Sequence, residues 1–119
     1  MKALLLFAHG ARNPDWARPI LAVRDTIRRR EPGTPVEAAF LEFIPPTLPE
    51  AVEQLLQTGC DEIVIVPMFM AQTGHTQRDL PALLDTLRAR HPGLQLRVAA
   101  PIGEAPAVVT AIAEYALQA

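Results

Sequence analysis

The strongest constraint in this chain is a rhythm. Four short apolar runs, Lys2 to Ala8, Val36 to Leu41, Glu62 to Met70 and Gln95 to Ala100, alternate with four stretches whose apolar residues recur at helical spacing. The third run carries Ile63-Val64-Ile65-Val66, and consecutive β-branched residues suit a pleated strand. The first is bounded by Gly10 and Asn13-Pro14, and reads as a strand buried on both faces. Between the runs, Ile20, Leu21, Val23 and Ile27 predict a helix over about Asp15 to Arg30, with Pro19 in its first turn and Pro32-Gly33 beyond its end. Leu48, Ala51, Val52, Leu55 and Leu56 predict a second helix, starting near Pro46 to Pro49 and ending about Thr58, with Gly59 as its C′ residue. Leu80, Leu83, Leu84 and Leu87 predict a third over about Arg78 to Arg90, stopped by His91-Pro92-Gly93. A last helix, about Pro106 to Leu117, is predicted to turn Val108, Val109, Ile112 and Tyr115 or Ala116 inward.

Strand and helix alternating in this way predict an α/β fold, a four-stranded parallel sheet with helices on both faces and right-handed crossovers. The 119 residues suit a single domain spanning residues 1–119. In such sheets ligands bind beyond the carboxyl ends of the strands, so the residues just past each run carry the functional reading. These are His9-Gly10-Ala11-Arg12, then Glu42-Phe43-Ile44-Pro45-Pro46, then Ala71-Gln72-Thr73-Gly74-His75, and last Pro101-Ile102-Gly103-Glu104.

Composition narrows the chemistry. The net charge is -2, so no general affinity for nucleic acid or anionic membranes is expected, and an anionic ligand would need local basic residues. Cys60 is the only cysteine, which excludes an internal disulfide and a thiolate metal cage, and fits a reducing cytoplasm. The apolar start Met1 to Ala8 is too short for a signal sequence, and no run approaches the roughly 20 apolar residues of a membrane span. A cytoplasmic protein is the expectation.

The first three strand ends each deliver one metal-competent side chain to the same sheet edge: the imidazoles of His9 and His75 and the carboxylate of Glu42. Two imidazoles and a carboxylate suit zinc, iron, cobalt or nickel, and three protein ligands leave positions open for a substrate. Each residue also has a plainer reading, His9 as a hydrogen-bonding residue and Glu42 as a solvated carboxylate. His91 stands in a helix-ending His-Pro-Gly and reads as structural. Histidines must be neutral to bind metal, so activity should fail on the acid side.

These segments resemble a known family. Leu4-Leu5-Leu6-Phe7-Ala8-His9-Gly10-Ala11-Arg12, Phe40-Leu41-Glu42-Phe43 followed by Pro46, and Val66-Pro67-Met68-Phe69-Met70 followed by Gly74-His75 and Arg78-Asp79-Leu80-Pro81 are similar, in order and spacing, to the signatures of CbiX-type chelatases. Thr73 stands where a glycine is usual and Gln77 where a basic residue is, which bears on how substrate carboxylates are held. The resemblance implies a sirohydrochlorin chelatase of the short, single-domain form, inserting Co2+, or alternatively Fe2+ or Ni2+, with no organic cofactor. It implies that His9 and His75 bind the metal, that Glu42 is a third ligand or the proton acceptor, and that two copies form a homodimer around the macrocycle. Arg12 and Arg78 are candidates to grip substrate carboxylates, because guanidinium matches carboxylate in a forked pair, and solvated arginines are their plainer reading. Gly10 and Gly74 would let chain and ligand approach closely, and Phe43, Met68 and Met70 could line a ring-sized pocket or simply fill the core. The alternative in the same family is a non-catalytic carrier of metal or tetrapyrrole. A phosphohistidine-type phosphate site lacks an arginine before His9 and any glycine-rich phosphate loop. An inert dimerisation module leaves the grouping of His9, Glu42 and His75 unexplained.

Overall fold

The computed structural model describes residues 1–72 and 74–119, and the side chain of His75 lies outside that set. The chain runs β1 (Lys2–Ala8), a 3-10 turn (Pro14–Ala17), α1 (Arg18–Arg30), β2 (Val36–Phe40), α2 (Leu48–Leu56), β3 (Glu62–Pro67), α3 (Gly74–Arg90), β4 (Gln95–Val98), a second 3-10 turn (Ile102–Glu104) and α4 (Pro106–Gln118). All strand pairs are parallel, in the order β2-β1-β3-β4. This is the four-stranded α/β sheet that the alternation predicts.

Side-chain alternation divides the sheet into two faces. Ala3, Leu5, Phe7, Ala39, Ile63, Ile65 and Leu96 point to one face, where α2 contributes Leu48, Ala51, Val52 and Leu55 and α3 contributes Leu80, Leu84 and Leu87. The other face carries Ala8, Ala38 and Phe40 against Ala17 and the half-buried Ile20 and Leu21 of α1. Crossover handedness explains the split. The step from β1 to β2 moves one way along the sheet and the steps from β2 to β3 to β4 move the other way. Right-handed connections therefore put α1 opposite α2 and α3.

Local chemistry sets the helix ends. Thr47 is the N-cap of α2, accepting from Glu50 N at 3.3 Å, while Glu50 Oε1 accepts from Thr47 N at 2.8 Å, a reciprocal capping box. Gly59 takes φ +90, as its place beyond the helix requires. The helix expected from Asp15 instead begins as the 3-10 turn and becomes α-helical at Arg18. Pro19 has no N–H to give to the Asp15 carbonyl, so the first turn cannot be α-helical there. The third helix starts at Gly74 rather than Arg78, and Pro81 lies inside it. The seven residues before Pro81 need no donor from it except at the Gln77 carbonyl, so the helix continues through the ring.

The last helix corrects the sequence reading. Val109 is 50% exposed, Ile112 42% and Tyr115 75%, Ala116 is exposed and Val108 only half-buried, so the expected inward face is not inward. The closest backbone contacts of helix α4 are with the second 3-10 turn. Its amphipathic pattern is real, but its direction is set by the turn that launches it. Gly103 N donates to Phe69 O at 3.3 Å, and Gly103 lies so close to the Met70 backbone that a Cβ would overlap it. Among the described residues no helix is long and apolar enough to cross a membrane.

Candidate metal centre at the carboxyl edge

Strand order places a topological switch point between β1 and β3. The chain leaves β1 toward α1 on one face and leaves β3 toward α3 on the other, and the diverging connections open a crevice at the carboxyl edge. The two strands bordering that crevice are those followed by His9 and by His75. The sheet ladder extends one residue past β3: Met68 N donates to Phe7 O at 2.7 Å.

His9 is half-buried, and its ring lies 4.8 Å from the ring of Phe69, at an interplanar angle of 37°. The imidazole therefore leans on the segment that follows β3. On its other side, the β2 connection is stitched to the β1 connection. Leu41 N donates to Ala8 O at 2.9 Å and Glu42 N donates to His9 O at 3.1 Å. Gly10, at φ +85, sits where a Cβ would overlap the Glu42 carbonyl oxygen. What the bare Cα of Gly10 accommodates here is the backbone of Glu42 in the same chain. At Gly74 a Cβ would meet none of the described residues within 4 Å apart from its chain neighbours and its own helix backbone.

Glu42 is solvent-exposed at the rim. The next residue, Phe43, has φ +70, and Ile44 N donates to Glu42 O at 2.9 Å, a γ-turn that an aromatic residue seldom adopts. Phe43 is 56% exposed, and the Arg12 guanidinium carbon stands 5.0 Å from its ring centroid, within cation–π range. Arg12 is therefore parked over an aromatic face. Arg78, on the first turns of α3, is exposed and donates Nε to Gly74 O at 3.2 Å. Met70 is 60% exposed, Met68 half-buried, and Phe69 buried.

The structure thus brings His9, Gly10, Arg12, Glu42 and Phe43 together on adjoining connections, with Gly74 and Arg78 at the start of α3. The side chain of His75 and all of Thr73 lie outside the described residues. Among the described residues no three histidine, cysteine or carboxylate side chains form a metal cluster. His91 is far from this edge, after α3, where Nε2 stands 3.0 Å from Glu53 Oε1 on α2 without hydrogen-bond geometry. It lies beside α2 on the face that α2 and α3 share. A concavity of about 370 Å³ lined by Arg28, Thr34, Glu37 and Gln54 lies at the start of β2, at the amino end of the sheet. The sequence reading placed Gly103 after the fourth strand without a role and did not single out Trp16. Gly103 holds the fourth connection to Met70, and Trp16 is 72% exposed just past the His9 connection. A glycine after the fourth strand was the available signal for the first; nothing in spacing marks the second.

Fold and rim together define an open-edged parallel α/β domain that carries metal-competent side chains at its topological switch point. The family model CbiX matches residues 3–119. The chain belongs to the CbiX family. It is 35% identical over 91 residues to a sirohydrochlorin cobaltochelatase of Methanocaldococcus jannaschii, an alignment covering 76% of this chain and 64% of that protein. The corresponding protein of Saccharolobus solfataricus is 36% identical over 109 residues, covering 87% and 84%. The chain thus spans under two thirds of the methanogen relative's length and most of the Saccharolobus one. A CbiX protein from Marinobacter aquaeolei VT8 superposes with a TM-score of 0.82 at 26% identity, over 99% of this chain and 96% of that one. SirB from Bacillus subtilis, solved with Fe3+, gives 0.79 at 25% identity over 95% of this chain and 45% of its own.

Proposed function

We propose that this chain inserts a divalent metal, Co2+ foremost and Fe2+ or Ni2+ as alternatives, into sirohydrochlorin, working as a cytoplasmic homodimer. The observation that carries the reading is the His9 imidazole, held against Phe69 at the mouth of the switch-point crevice beside the Glu42 connection. The relatives' names supply the substrate and favour cobalt.

Metallation replaces two pyrrole N–H protons with one dication. The ion must lose water, and the protons must find acceptors. In this reading His9 and His75 hold the ion through neutral imidazoles and leave its remaining positions to the ring nitrogens. Glu42, on the exposed rim, either completes the ligand set or accepts a proton, work worth about 10²–10⁴-fold in rate. Arg12 is within reach of substrate carboxylates once it leaves Phe43, and Arg78 stands at the start of α3. A flat open edge leaves the second side of a macrocycle uncovered, which is the physical case for two copies facing each other.

The test is cobalt insertion into sirohydrochlorin, followed by absorbance, for the wild-type chain and for His9→Ala and His75→Ala. The reading expects a wild-type rate above the spontaneous one and its loss in both variants, with circular dichroism unchanged. A wild-type rate equal to the spontaneous rate would leave a carrier, and full activity in His75→Ala would remove the metal assignment.

A further inference from the structure

Two stretches of this chain are one device built twice. Ala22, Asp25, Thr26, Arg28, Arg30 and Pro32-Gly33 recur as Ala82, Asp85, Thr86, Arg88, Arg90 and Pro92-Gly93, each 60 residues on. The first copy ends α1 and leads into β2, and the second ends α3 and leads into β4. The hydrogen bonds repeat with the residues. Thr26 Oγ1 donates to Ala22 O at 2.8 Å and Thr86 Oγ1 to Ala82 O at 3.1 Å. Glu31 N donates to Ile27 O and Thr34 N to Glu31 O, just as His91 N donates to Leu87 O and Leu94 N to His91 O. Arg28 Nη2 donates to Val36 O at 2.9 Å, and Arg88 Nη2 to Leu96 O at 3.0 Å. The recurrence follows the symmetry of the sheet. A half-turn about the line between β1 and β3 exchanges β1-α1-β2 with β3-α3-β4 and carries α1 from one face to the other.

The two arginines end on the two outermost strands of the sheet. Such a strand carries a row of N–H and C=O groups without a neighbour, a template on which a strand of another chain can add. On β4, Gln95 N and Ala99 N donate inward to Asp61 O and Ile65 O, so the intervening Leu96 and Val98 turn their backbone groups outward. Arg88 occupies one of those outward carbonyls. On β2, Pro35 O accepts from Leu4 N and Leu41 N donates to Ala8 O, so Val36, Ala38 and Phe40 turn outward. Arg28 occupies Val36 O and pairs with Glu37 Oε1 at 3.1 Å, while Phe40 N donates to Pro46 O at 3.0 Å. Ala38 is thus flanked by two outward residues that are already engaged. The outermost strands are also short, with five and four residues in β2 and β4 against seven and six in β1 and β3.

From this repetition we infer that Arg28 and Arg88 close the two free edges of the sheet against strand pairing with other copies of this chain. Each guanidinium takes the carbonyl that an added strand's N–H would need, and its rigid planar fork lays a cation across the path of that strand. An arginine in the last turn of a helix ordinarily serves the helix's own final carbonyls. Here it reaches past the turn to the outermost strand, and it does so at both ends of the sheet. The device is independent of the chemistry at the carboxyl edge, since both arginines act near the starts of their strands.

The test compares Arg28→Met, Arg88→Met and the double variant with wild type and with Thr47→Ala, a control that weakens α2 without touching an edge. Methionine keeps an unbranched stem and removes the donors. Light scattering across a concentration series gives the particle mass, infrared spectroscopy of the same samples reports intermolecular sheet, and denaturant unfolding ranks stability. Edge closure expects a wild-type mass that does not change with concentration. The mass of each methionine variant should rise at least about twofold, furthest in the double variant, with new intermolecular sheet signal and a cooperative unfolding transition retained. Should the double variant lack that transition, the single variants decide. Methionine variants that hold the wild-type mass overturn the inference. So does a Thr47→Ala control that assembles as readily, or single variants that unfold, since the arginines would then be holding the fold together and not shutting its edges.

Discussion

Gly10 rests on the backbone carbonyl of Glu42 so closely that no methyl group could stand between them. This contact, with the hydrogen bond from Glu42 N to His9 O, locks the first two strand connections into one unit and fixes where His9 and Glu42 start. Gly10→Ala meets both the overlap and a φ of +85. It should lose more than about 1 kcal/mol of stability. Denaturant unfolding measures that loss, and cobalt insertion should fall with it, since both candidate ligands are displaced.

The two glycines of the later connections should behave oppositely. Gly103→Ala drives a Cβ into the Met70 backbone and should destabilise the chain and loosen the root of α4, read as a lower Tm. Gly74→Ala adds a methyl that meets none of the described residues beyond its chain neighbours and its own helix, at a helix start where alanine is favoured by up to about 1 kcal/mol. Stability should hold or rise. If insertion activity nevertheless drops, Gly74 is where substrate approaches; unchanged activity removes Gly74 from the binding surface.

Thr47 and Glu50 give a pH-dependent handle on α2. Hydrogen bonds from the Thr47 backbone and side chain hold the Glu50 carboxyl below the ordinary carboxylate range. A depressed acid stabilises the fold above its unfolded pKa, and the contribution disappears as pH falls through the folded value. The stability gap between wild type and Glu50→Ala should therefore be present at neutral pH and close in acid. Thr47→Ala should cost about 1 kcal/mol at neutral pH.

Cys60 is buried, its thiol donates to Leu55 O at 3.1 Å, and burial pushes its pKa up. The thiolate is the reactive form, so native protein should react with iodoacetamide far more slowly than unfolded protein at the same pH. Equal rates would show that the thiol is reached without unfolding.

Phe43 spends an unfavourable positive φ to present its ring beneath Arg12. Phe43→Leu keeps the bulk and removes the π face. For so exposed a pair the stability change should stay within about 1 kcal/mol, while the KM for sirohydrochlorin should move if Arg12 is positioned by the ring. An unchanged KM would make the pair a surface feature only.

Much of this molecule was written in short stretches of its own chain. The β-branched run 63–66, the capping pair Thr47 and Glu50, and the leucine spacing of 80 to 87 act over a few residues, so strands, helices and the α/β class follow from local pattern. Parallel alternation then pointed to the carboxyl edge and to His9, Glu42 and the segment before Arg78. What local pattern could not hold was anything that depends on two distant segments meeting. The strand order, and with it the switch point between β1 and β3, comes from crossover handedness acting on the whole sheet. The lean of His9 on Phe69, the seat of Gly10 on Glu42 and the parking of Arg12 over Phe43 are contacts between connections far apart in sequence. The clearest case is α4: its stripe is as legible as any in the chain, yet periodicity says only that a face seeks cover. That Val109, Ile112 and Tyr115 stand exposed was decided by the tertiary structure, in which Gly103 is seated on the Met70 backbone before the helix begins.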